Sequence, residues 1–139
     1  YNFSYCALKN GILLSKFNQD KNIKKFESKI NFILADDKLL QKLNTKFLKK
    51  KKPTNVLSFP NDNLRKDRVK FLGEVFLAYE TCIKEAKKLN VKNIDRVAHL
   101  IVHGTLHLLG FTHHKREEEK KMNNLETQTL NSLGIYYYN

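Results

Sequence analysis

All five histidines of the 139-residue chain stand in one stretch, AHLIVHGTLHLLGFTHHK (98–115), that is otherwise apolar. His103 and His107 are four residues apart. On a helix their rings leave the same face one turn apart, close enough to reach one ion. Gly110 can end a helix in the left-handed conformation and reverse the chain, which brings His113 round to a third coordination position. Three neutral imidazoles with an open fourth position form a catalytic zinc-type arrangement. His99, one turn before His103, is read as packing or as orienting a ligand. His114 competes with its neighbour His113, and the spacing favours His113.

The spacing H-x3-H-x2-G-x2-H is also that of the metzincin peptidases, whose motif reads HExxHxxGxxH. There the residue after the first histidine is the glutamate that accepts a proton from the attacking water; here it is Gly104. The ligand pattern survives and the peptidase chemistry does not. A metal with an open position also lowers the pKa of bound water and polarises phosphoryl oxygens, which suits phosphodiester hydrolysis. Beyond that water no catalytic group is assigned, and attack by an RNA 2′-hydroxyl stays open. All-imidazole ligation suits one divalent ion, zinc first, with nickel, copper or iron also compatible.

Such a site needs a rigid support. Ile94, Val97, Ala98, Leu100, Ile101, Val102, Leu106, Leu108 and Leu109 take up nearly the whole circumference of a helix running from about residue 93 to 109, so this helix is expected to be buried. Asn93 is its expected N-cap, with Asp95 in the first turn and Gly110 as the stop. Upstream, KINFILADD (29–37) reads as a strand, and DKLLQKLNTKFL as a helix capped by Asp36 with Leu39, Leu40, Leu43 and Phe47 on one face. NVLSFP (55–60) and FLGEVFLAYE (71–80) read as strands around a polar loop, NDNLRKDRVK. TCIKEAKKLN is a short amphipathic helix, and KREEEKKMNNLETQTLNSL a last one ending at Gly134. A strand at 2–8 and a helix around ILLSKF complete the pattern. The fold class is α/β (α+β): one domain, residues 1–139, with a small mixed β-sheet packed with helices and the three-histidine site on a central buried helix and the turn after it.

Twenty-six basic against fourteen acidic residues leave a charge of +12, which favours a polyanionic partner or merely a solubilising surface. The basic residues cluster in KFLKKKKP (46–53), so Lys49, Lys50, Lys51 and Lys52 are the candidate phosphate contacts. Ser58, at the end of NVLSFP, is a candidate for the cleft or for a backbone hydrogen bond. The tail IYYYN could stack on bases, with packing against the domain the plainer expectation. No apolar run approaches the length of a membrane span, and Cys6 and Cys82 fit neither a metal pair nor a disulfide framework. A cytoplasmic protein is expected.

HGTLHLLGFTHH is similar to the H-G-x-L-H-L-x-G-Y-D-H signature of the YbeY family, bacterial metal-dependent endoribonucleases of ribosomal RNA maturation and ribosome quality control. KPTNVLSFP (52–60) resembles that family's K-P-T-[DN]-V-L-S-F-P, LGEV (72–75) its L-G-D-[IV], and MNNLETQTLNSLGI its M-E-x-L-E-x-x-I-L-x-x-L-G-I. The resemblance covers most of residues 30–135 in the family's order. It implies His103, His107 and His113 as metal ligands, and RNA as partner, in the form of ribosomal RNA or the small ribosomal subunit, with action at the 16S rRNA 3′ end; no DNA preference is evident. Three positions depart from the pattern: Thr112 for aspartate, Glu74 for aspartate, and Leu48 for an arginine linked to RNA cleavage. A lysine point charge does not reproduce a guanidinium fork on phosphate. Besides the nuclease, two readings stay open: a non-catalytic RNA- or ribosome-binding factor that keeps the metal as a clip, and a metallohydrolase on another substrate such as a peptidase.

Overall fold

The structure is a computed structural model that describes residues 27–61 and 69–136. The strand expected at 2–8, the helix around ILLSKF, most of the polar loop after Asn61 and the last three residues of the tail lie outside them. Three strands and four helices are described: β1 (Glu27–Ala35), α1 (Asp37–Leu48), β2 (Val56–Pro60), β3 (Val69–Ala78), α2 (Tyr79–Leu89), α3 (Asn93–Leu108) and α4 (Arg116–Ser132). The mixed sheet has the order β1-β3-β2, with β1 parallel and β2 antiparallel to the central β3. Residues 27–111 form one compact unit, and the residues from Thr112 onward belong to another.

The alternation of strand side chains divides the first unit's core between the two sheet faces. Val75 and Leu77 of β3 pack with Cys82 of α2 and Leu100 of α3, flanked by Ile30, Phe32 and Val56. The opposite face presents Leu57, Phe59, Phe76 and Ala78 to Leu40 and Leu43 of α1. The sheet is therefore layered between α1 and α3. Burial pushes the Cys82 thiol up to about 11, with the Glu85 carboxylate adding to the effect.

The LGEV motif marks an irregularity in β3. Lys29 pairs with Phe71 but Ile30 with Gly73, so Leu72 is an extra residue on β3. Gly73 has φ 141°, and a Cβ there would overlap the Phe59 carbonyl oxygen. Only glycine satisfies both constraints.

Local signals set some helix boundaries and tertiary contacts set others. Asp36 caps α1 as expected, accepting from the Leu39 N–H at 2.7 Å. The strand expected to run to residue 80 stops at Ala78, because α2 begins at Tyr79. Ala78 has no capping side chain; instead the Asp37 carboxylate accepts from the Thr81 N–H and hydroxyl, and Glu80 accepts from the Asp37 N–H. The two helix starts thus cap each other across 44 residues. Asn93 is not the N-cap of α3. Lys92 takes that place through its carbonyl, which accepts from Asp95 and Arg96, and Asn93 is the first helical residue.

Candidate metal centre

α3 carries two of the three histidines and α1 none, so the site belongs to the helix on the sheet face that presents Val75 and Leu77. His99, Leu100, Val102, Gly104, Thr105 and Leu106 of α3 are buried, while His103 and His107 are half-buried. At Gly104 α3 lies close against the sheet. A Cβ built there would lie 2.6 Å from Val75 Cγ1 and 3.1 Å from the Ser58 hydroxyl oxygen. Any side chain at 104 collides with a fully buried valine, so the glutamate that peptidases carry here has no room. The glycine permits close helix–sheet packing.

The end of α3 is a Schellman turn: the Phe111 N–H donates to the Leu106 carbonyl and the Gly110 N–H to that of His107, each at 3.0 Å, with Gly110 at φ 88°. The turn also orients a ring. His107 Nδ1 lies 2.9 Å from the Phe111 carbonyl oxygen. That oxygen can only accept, so Nδ1 holds the proton and Nε2 is left with its lone pair. His107 Nε2 faces His103 Nε2 at 3.0 Å, close to the edge of about 3.3 Å expected between two imidazole nitrogens on a tetrahedral zinc. His113, exposed on the segment after the turn, supplies a third nitrogen, and ligand atoms of the three residues all lie within 4.8 Å of one another. The donor set, the preset tautomer and the spacing fit a divalent transition ion.

The other two histidines are not members of this group, although the His114 ring centroid lies 6.2 Å from that of His113. His99 Nδ1 lies 3.1 Å from a guanidinium nitrogen of Arg96, and Arg96 pairs with Glu85 at 2.7 Å. Glu85 also accepts from the Asn55 side-chain amide, which ties the start of β2 to α2 and α3. His114 is not in the three-histidine group; its backbone N–H donates to Glu118.

The Ser58 hydroxyl donates to the Gly104 carbonyl at 3.1 Å, fastening β2 to α3 at their close approach. Lys49 to Lys52 are exposed and follow α1 through a left-handed Lys49, φ 54°. Asn44, on the buried face of α1, donates its side-chain amide to the Lys52 carbonyl at 2.7 Å and so anchors the basic loop. Sequence reasoning missed Asn44, although a lone asparagine beside Leu40 and Leu43 on an apolar face is a detectable signal. Leu48 is exposed at the end of α1. Glu74 accepts from the Asn31 side chain at 3.3 Å.

Known proteins share both the sequence pattern and the fold. The family described as Endoribonuclease YbeY matches residues 8–134. A relative named "Endoribonuclease YbeY" from Ehrlichia chaffeensis is 41% identical over 116 residues, 84% of this chain and 74% of its own. Relatives with the same name from Rhizobium etli and Wigglesworthia glossinidia brevipalpis are 38% and 42% identical, covering 85% and 78% of the chain and 70% and 72% of their own lengths. A solution structure of a Thermotoga maritima protein shares the fold with a TM-score of 0.50 at 23% identity, over 96% of this chain and 88% of the other.

Proposed function

The chain belongs to the YbeY endoribonuclease family, and from that premise we propose that it is a metal-dependent endoribonuclease acting on single-stranded ribosomal RNA, with the 3′ end of 16S rRNA and ribosome quality control as its setting in the cytoplasm. The match over residues 8–134 supports treating the chain as one functional domain. The observation that carries the reading is the convergence of His103, His107 and His113 within 4.8 Å. We assign these three residues as the ligands of one divalent ion, zinc by the chemistry of an all-imidazole set. When bound, that ion polarises the phosphoryl oxygen and makes water a stronger nucleophile.

The chain's own residues do the rest. His107 is held in one tautomer by the Phe111 carbonyl, so no proton has to leave Nε2 before it ligates. Lys49 to Lys52 hold phosphates flanking the scissile bond and offset charge that develops during cleavage. Lys51 also shares a shallow concave surface with Lys38, Lys42 and Lys46 of α1, with no acidic side chain in its lining. The Ser58 hydroxyl is assigned to packing β2 on α3 rather than to substrate, since its proton is donated to Gly104. Among the described residues no helix is long and apolar enough to cross a membrane.

The test joins metal analysis to cleavage. Wild-type protein is expected to carry one equivalent of metal and to cut an RNA containing the 16S 3′ region. His107→Ala should lose both properties while remaining folded. Metal-loaded wild type that leaves every single-stranded RNA intact, or a His107→Ala variant that still cuts, would overturn the reading.

A further inference from the structure

His103 and His107 are fixed by the helix they stand on, whereas His113 lies outside any helix and is exposed. Glu118, in the first turn of α4, bridges the positions on either side of it. Its Oε2 accepts from the Thr112 hydroxyl at 2.6 Å and from the His114 backbone N–H at 3.2 Å. One oxygen thus holds the residue before His113 and the residue after it. The Thr112 hydrogen bond, with smaller help from backbone N–H groups and His114, holds the Glu118 carboxyl below its usual range, so the charged acceptor persists at neutral pH. Lys115, the N-cap of α4, makes no side-chain capping bond. From the third position of the helix, where a capping-box glutamate stands, the carboxylate reaches back to the segment that bears the histidine.

We propose that Glu118 is a positioning residue which, with Thr112 as its donor, presets His113 for metal binding. The proposal rests on reading His103, His107 and His113 as one metal site. Thr112 stands where the family signature has an aspartate; here the hydroxyl at that position engages a carboxylate supplied by the next helix. A free 112–114 segment would have to be ordered when the ion binds, and the ordering would weaken affinity. A prearranged segment avoids that loss.

The experiment is a Zn²⁺ titration of chelator-stripped protein against a chromophoric competitor, repeated with Co²⁺ to read the ligand field. Glu118→Ala and Thr112→Val should each weaken Zn²⁺ binding by roughly tenfold, as loss of residues that orient metal ligands does. The double variant should be no weaker than Glu118→Ala alone, because the two act through one bond. Glu118→Gln, whose amide oxygen still accepts, should recover part of the affinity. In a His113→Ala background Glu118→Ala should have no further effect, and the Co²⁺ spectrum should match that of His113→Ala alone. Unaltered Zn²⁺ affinity in Glu118→Ala, or a loss of equal size in the His113→Ala background, would sink the proposal. Should Glu118→Ala fail to fold, Thr112→Val carries the same test. If His107→Ala binds Zn²⁺ like wild type, the metal site itself falls and the role of Glu118 with it.

Discussion

At the scale of the residue, Gly104 separates this chain from a peptidase more firmly than the absence of a glutamate does. Helix propensity alone says that Gly104→Ala should stabilise the protein, by about 1 kcal/mol. The approach of 2.6 Å to Val75 Cγ1 opposes it, since Val75 is fully buried and the Ser58 hydroxyl closes the other side. Overpacking a close-packed interface costs about 1–3 kcal/mol, so the clash should win. We expect Gly104→Ala to lower stability by up to about 2 kcal/mol in urea unfolding, the overpacking cost less the helix-propensity gain. A more stable alanine variant would mean that α3 can move off the sheet and that the close approach is not obligatory.

At the scale of the element, α1 and the loop after it behave as one piece because Asn44 joins them. Its buried amide donates to the Lys52 carbonyl, and nothing else buried on α1 is polar. Asn44→Ala leaves that carbonyl without its donor and removes a side chain from the face against the sheet. The cost should be about 1–3 kcal/mol. Hydrogen exchange should rise in residues 49–52 while α3 stays protected, since the ladder of α3 does not depend on this bond. Exchange across the loop equal to that of wild type would show that the left-handed Lys49 holds it unaided. The bonds from Thr81 to Asp37 and from Asp37 to Glu80 make a similar point about boundaries: α2 starts two residues before its amphipathic pattern because α1 supplies its cap.

For the whole molecule, the charge of +12 gains meaning only with a surface to act on. If Lys49 to Lys52 follow phosphates, RNA affinity should fall steeply with salt, and the log–log slope should decrease by roughly 0.7 for each single-strand phosphate that is no longer neutralised. Replacing all four with glutamine should weaken binding and flatten the slope, with metal content unchanged. Affinity and slope equal to wild type would make the block a solvated, solubilising face. Wild type and variant should be compared at matched ionic strength, because diffuse attraction from the other lysines contributes at low salt.

The histidine site and most of the elements around it were legible from local pattern. Ligand spacing depends on helical pitch, strand position on alternation, and the stops at Gly110 and Gly134 on a backbone conformation that glycine adopts most readily; both have positive φ. What the linear order could not contain was every partner distant in sequence. The cap of α2 comes from Asp37, and the carbonyl that requires glycine at 73 belongs to Phe59. The Asn93 expectation failed because Asn93 itself has entered the helix, leaving Lys92, in extended backbone and without a capping side chain, at the boundary. Glu118 is one of three acidic residues in the first turn of α4, all suited by charge to a helix start. Only the folded chain, by bringing one of those carboxylates to both neighbours of His113, distinguishes it from the other two. Residue types and spacings decide what a segment can do alone, and packing decides which of several equivalent groups meets a partner, because that choice depends on distances in space.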